Sequence, residues 1–84
     1  MHLMSSSNRV RRLSALDAGD RGTVDRIVAH HGERVERLLA LGVTPGARVS
    51  VLQTSPAIVF SCDQTEFAVE RSVADAIFVR TLEE

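Results

Sequence analysis

The sequence predicts a mainly β fold: a small, strongly bent barrel of five to six short strands with one α-helix and one short helical turn. Three observations carry that prediction. Short runs rich in Val, Ile and Phe alternate with Gly, Pro and Asp along the chain. Only "HGERVERLLALG" places its apolar residues at helical spacing. And 84 residues suffice for one core, near the small end of what folds unaided.

Residues 1–12 are polar, Ser-rich and aperiodic, and read as a flexible N-terminal arm; residues 13–84 then form the single domain. "LSALDAGDRGTV" sets Gly19 and Gly22 among charged residues, a turn entering a strand over residues 22–29. Val24 and Ile27 are three apart, so simple alternation would send them to opposite faces. A bulge near Asp25–Arg26 brings both inward.

In the helical stretch, Val35, Leu38 and Leu39 form one apolar stripe. Gly42 falls where the helix needs a left-handed residue, so that Val43 packs back on Leu38 in a Schellman stop. Pro45–Gly46 then supplies a type II turn, proline fixing the first corner and glycine accepting positive φ at the second. The strand "ARVSVLQ" follows. "AIVFSC" and "TEFAVE" flank a two-residue loop, Asp63–Gln64, which puts Ile58 and Phe60 opposite Phe67 and Val69. "RSVADAIFV" gives a helical turn that Ser72 can cap with Asp75 at N3, then a last strand over residues 78–81.

Composition narrows the function classes. All ten basic residues are arginine, against eleven acids, and the net charge of −1 discourages a general affinity for nucleic acid. The local surplus is "RVRR", Arg9 to Arg12, which reads as a solvated tail and otherwise suits an acidic partner or lipid headgroup. No apolar run approaches the roughly 18 residues that span a bilayer, so no membrane insertion is expected. The start lacks the apolar core of a secretory signal, and the lone Cys62 cannot staple the fold, which makes the cytoplasm the simplest location.

These motifs resemble a known family. "LSALDAGDRGTV" is similar to the L-S-x-L-x-x-G-x-x-G-x-V opening of the FeoA family, small accessory proteins of ferrous iron transport. "RVERLLALGVTPGARVSVL" resembles that family's central L-G-x-x-P-G-x-x-V-x-V block, and "FAVERSVADAIFV" its ending, with Phe67 and Glu70 departing from the usual Leu and Arg. The three blocks cover residues 13–79 in the right order. The resemblance implies an SH3-like β-barrel, no enzymatic activity and no cofactor. It implies a partner, the membrane iron transporter FeoB with its cytosolic GTPase region. The same domain follows the DNA-binding part of iron-dependent repressors, so a stand-alone metal-responsive regulatory domain is the alternative. Two departures stand out: the stretch before the first family block is long, and "QTSPAIVF" is short where many members carry a Gly/Pro-rich loop.

No residue pattern points to catalysis. His30 and His31 are adjacent and diverge on any regular backbone, so they are expected to be solvated rather than metal ligands. Cys62 has no signalled base, Ser5 to Ser7 form no nucleophile elbow, and no Gly-rich loop resembles a phosphate cradle. The helix–strand corner is the candidate partner-binding surface. Leu41, Val43 and Pro45 either form an exposed apolar docking patch held by Gly42 and Gly46, or simply seal the rim of the barrel.

Overall fold

The computed structural model describes residues 7–28 and 33–83. The elements run β1 (Ser7–Arg12), a 3-10 turn (Leu13–Ala15), β2 (Arg21–Ile27), α1 (Glu33–Ala40), β3 (Arg48–Gln53), β4 (Ile58–Cys62), β5 (Thr65–Val69), α2 (Arg71–Ala74) and β6 (Ile77–Glu83). All strands belong to one antiparallel sheet in the order β1-β6-β2-β3-β4-β5.

The strand count and the two helices match the sequence reading, but the barrel does not close. β1 and β5 stand at the two ends of the sheet and pair with β6 and β4 alone. Closure would need another strand beside β5. No strand pairs with that edge; beside it, Leu38 of α1 and Val73 of α2 line an open groove together with Phe67 and Val69.

The N-terminal segment is also a correction. Residues 7–12 were expected in a flexible arm; they form β1, in register with β6 from Ser7↔Glu83 to Arg12↔Phe78. An edge strand has one open side, so its long arginines can reach water while the backbone pairs. Pairing with β1 also extends β6 well past the four residues expected for it. Residues 1–6 lie outside the described residues.

The bulge falls where expected. Val24 stands opposite Val79 and Arg26 opposite Phe78, with the register shifting between them. Val24 is buried and Ile27 packs half-buried against the core. A second shift, between Val51 and Gln53, has no signal in the sequence. Gly22 explains the second glycine of the opening motif. A Cβ there would lie 2.5 Å from the Arg80 carbonyl oxygen and 2.6 Å from Val79 Cγ1, so β2 and β6 approach too closely for any side chain.

Aliphatic residues fill the core around Phe60: Leu13, Val24, Leu38, Val51, Ile58, Ile77 and Val79 are buried. Phe60 pairs with Phe67 across β4 and β5, and Ile58 with Val69, as the alternation requires. The loop residues Asp63 and Gln64 both adopt positive φ, 51° and 70°, the geometry of a tight two-residue hairpin. α2 is capped differently from the expectation. Glu70 is its N-cap, so Ser72 lies inside the turn, and the Glu70 carbonyl accepts from the amides of Val73 and Ala74. Asp75 instead accepts a hydrogen bond from the Ser14 hydroxyl.

Candidate functional site

The corner after α1 is built as its residues dictate. Val43 N donates to Leu38 O at 2.9 Å and Gly42 N to Leu39 O at 3.1 Å, the paired bonds of a Schellman stop, with Gly42 at φ 104°. Ala47 N closes the Pro45–Gly46 turn on Thr44 O at 2.9 Å, and Gly46 takes φ 95°. Two further bonds clamp this turn to β2: Gly46 N to Val24 O and Val24 N to Ala47 O, each 2.8 Å. The Cys62 thiol reaches the Gly42 carbonyl at 3.8 Å, tying the corner to β4 as well.

The three corner residues have different fates. Leu41 is 60 % exposed. Val43 is wholly buried in the core, so of the two readings it takes rim-sealing and not the exposed patch: the Schellman stop turns it inward onto Leu38 as expected. Pro45 is exposed on the turn but does not line the groove that Leu41 lines. Sealing of the rim falls to Val43, and exposure to Leu41.

Leu41 forms one lip of an open groove of about 430 Å³ between α1 and β5. Arg34, Arg37 and Leu38 continue the helical wall; Phe67 and Val69 supply the floor; Glu70 and Val73 close one end. The floor is rigid, because the Phe67 ring stacks on the buried Phe60 ring with centroids 5.4 Å apart at 19°. Arg34 and Glu70 form an ion pair from opposite sides. Both are well exposed, so the pair contributes little to stability and can open. Arg37 has no ion pair among the described residues. The groove therefore offers an apolar floor and a cationic rim, beside a strand whose outer edge leaves backbone groups unpaired by any other strand.

Nothing in this arrangement is poised for reaction. Burial, and then the neighbouring Asp63 carboxylate, push the Cys62 thiol above its ordinary range, which keeps it protonated and inert. Among the described residues no three His, Cys, Asp or Glu side chains come together as a metal site. His30 and His31 lie outside the described residues.

The FeoA domain model matches residues 11–81, nearly the whole described fold. The chain belongs to the FeoA family. It is 33 % identical over 69 residues to a protein of Leptolyngbya boryana named for Fe(2+) transport, covering 81 % of this chain and 84 % of that one. A crystal structure of an iron uptake regulatory protein, FeoA, superposes with a TM-score of 0.75 at 35 % identity, covering 86 % of this chain and 97 % of the other. A manganese-dependent transcriptional repressor superposes with a TM-score of 0.79 at 26 % identity; this chain, matched over 89 % of its length, spans 43 % of the repressor. A FeoA of Stenotrophomonas maltophilia, described as an SH3 domain protein, superposes with a TM-score of 0.70, so the fold is of that kind, and in this chain the antiparallel sheet does not close into a barrel. The family is one of ferrous iron transport, and no helix among the described residues is long and apolar enough to cross a membrane.

The groove itself was not legible beforehand, because it needs α1 and β5 brought together from residues 34 and 67. One signal pointed to it. Phe67 and Glu70, the two departures from the family's usual closing motif, both line the groove.

Proposed function

We propose that this FeoA protein is a non-enzymatic cytoplasmic module that binds the GTPase-bearing region of the membrane transporter FeoB and modulates it through the groove between α1 and β5. The observation that carries the reading is Leu41, a large apolar side chain 60 % exposed at the lip of an apolar groove on a corner locked by backbone hydrogen bonds. A rigid apolar patch loses little entropy when a partner covers it. The partner segment that fits is extended, adds to the free edge of β5, inserts an apolar side chain over Phe67 and Val69, and meets Arg34 and Arg37 with an acidic residue. Phe67 and Glu70 then tune the groove to this protein's own transporter. A pull-down from membrane extract tests the reading: retention of a GTPase-bearing transporter by the wild type and its loss on Leu41→Ser support it, while equal retention by both sinks it.

The alternative, a stand-alone metal-responsive regulatory domain, draws on the likeness to the manganese-dependent repressor. Titration with ferrous or manganous ion separates the two. Tight stoichiometric binding that raises the melting temperature favours the regulatory domain; no change favours the transporter module.

A further inference from the structure

The outer face of the sheet's other half carries a feature the groove does not use. Cross-strand pairing sets its rows. Arg12 and Arg26 flank Phe78 in one row, and Val10, Arg80, Thr23 and Arg48 follow one another in the next. Arg21, two residues before Thr23, shares this side. The alternate residues of β6, Ile77, Val79 and Thr81, are buried, so both rows face away from the core.

Five arginines thus share one face, Arg12, Arg21, Arg26, Arg48 and Arg80, and all five are exposed there. The acid facing them among the described residues is Asp25, on the bulge, which pairs with Arg26 at 3.0 Å and with Arg80. Arg26 stacks over the Phe78 ring at 4.3 Å, and Arg12 reaches it at 5.6 Å from the strand on the other side of β6. Asp25 and Phe78 therefore act as a frame that holds guanidinium groups in place. Arg12, Arg21 and Arg48 have no ion pair among the described residues. The far end of the sheet has the opposite sign: residues 49–70 contain Asp63, Glu66 and Glu70 and no basic residue. Strands β4 and β5 themselves thus carry no base, and the arginines beside them, Arg34 and Arg37, belong to α1.

We propose that this arginine face docks peripherally on an anionic lipid surface, its guanidinium groups on headgroup phosphates and nothing inserted. Three observations select that occupant. β6, β2 and β3 are interior strands, paired on both sides, so a peptide cannot add to the backbone across this face. Guanidinium groups from both flanking strands occupy Phe78, which leaves no ring free to stack a nucleic-acid base. And the charges are spread in two dimensions, from Arg12 on β1 to Arg48 on β3, whose backbones lie three strand spacings or about 14 Å apart, as a layer of phosphates requires and a single acidic side chain does not.

Co-sedimentation with phosphatidylcholine vesicles, with and without phosphatidylglycerol, tests the proposal. The wild type should bind only the anionic vesicles and release as salt rises. Arg12→Gln/Arg48→Gln should weaken binding about 25-fold, from roughly fivefold per arginine. Arg12→Lys/Arg48→Lys should keep most of it, and Leu41→Ser should bind vesicles like the wild type, with circular dichroism confirming each fold. Equal binding to uncharged vesicles, unchanged binding by the Gln pair, or tighter binding of a DNA duplex than of anionic vesicles at the same salt would each overturn it.

Discussion

The two edge strands of the sheet are made in different ways and present different chemistry. β5 is held to β4 by a two-residue hairpin, and the helix that walls its groove ends in a Schellman stop two residues before the next turn. The turns that shape this end are local in sequence, and bonds to Val24 of β2 and Cys62 of β4 then clamp them to the sheet. β1 owes its conformation to β6, its partner across more than sixty residues, and has no turn of its own to fix it. The locally built edge carries the apolar groove; the distantly built one carries arginines. Rigid local geometry suits a contact that depends on shape. Charge acts at longer range and tolerates a less exact scaffold.

The largest effect expected is at the spine between the two ends. Gly22→Ala places a Cβ 2.5 Å from the Arg80 carbonyl oxygen, a backbone atom that cannot swing aside. Loss of about 3 kcal/mol is expected by chemical denaturation, as for severe overpacking. Hydrogen exchange should rise first in β2 and β6, which meet at this contact. Uniform loss across β4 and β5 would show that the two ends are one cooperative unit.

Gly42→Val strikes the other end. The space there is open, so the cost is conformational: a β-branched residue at φ 104°. About 2 kcal/mol of destabilisation is expected. An unchanged denaturation midpoint would mean that the Schellman stop does not hold α1 against the groove.

The contrast between the ends is also why one was legible in the sequence and the other was not. Gly42, Pro45 and Gly46 each demand a backbone conformation, and three such demands within five residues leave one path for the chain. The bulge at Asp25 was readable for a similar reason, since Val24 and Ile27 cannot both reach the core without it. Nothing in "SNRVRR" specifies a strand; polar alternation there is indistinguishable from a solvated tail until β6 supplies a partner. The burial of Val43 was legible in the Schellman stop, which packs it on Leu38; whether Leu41 stays exposed was not. The open sheet is not legible because closure depends on whether β1 and β5, the two ends of the chain's sheet, come within pairing distance.

Smaller changes sharpen the picture of the β5 end. Gln64→Gly relieves a non-glycine residue at φ 70° and should stabilise the hairpin by about 0.5–1 kcal/mol, read as a rise in melting temperature. No change would place the strain elsewhere in the loop.

Cys62, between hairpin and corner, gives a pH signature. Its folded-state pKa is raised above the ordinary thiol value of 9.0, first by burial and then by Asp63. The protonated thiol is therefore favoured by folding. Its stabilising contribution is complete below the ordinary value and is lost as pH rises through the folded value. Urea denaturation in the alkaline range should show stability declining with pH in the wild type, and a shallower decline in Cys62→Ala. Identical slopes would mean that the thiol is not shielded at the corner.

The account stands on Leu41 as the contact that makes the groove a binding site. Its most direct test is the affinity of purified protein for the cytosolic GTPase region of the transporter, measured by titration calorimetry for the wild type and Leu41→Ser. At 60 % exposure, Leu41 can be replaced with little loss of stability, so the two proteins should melt together. A loss of affinity of about tenfold or more, the scale of a central interface residue, is the predicted result. Equal affinities with equal melting temperatures would contradict the account and leave the groove as architecture alone.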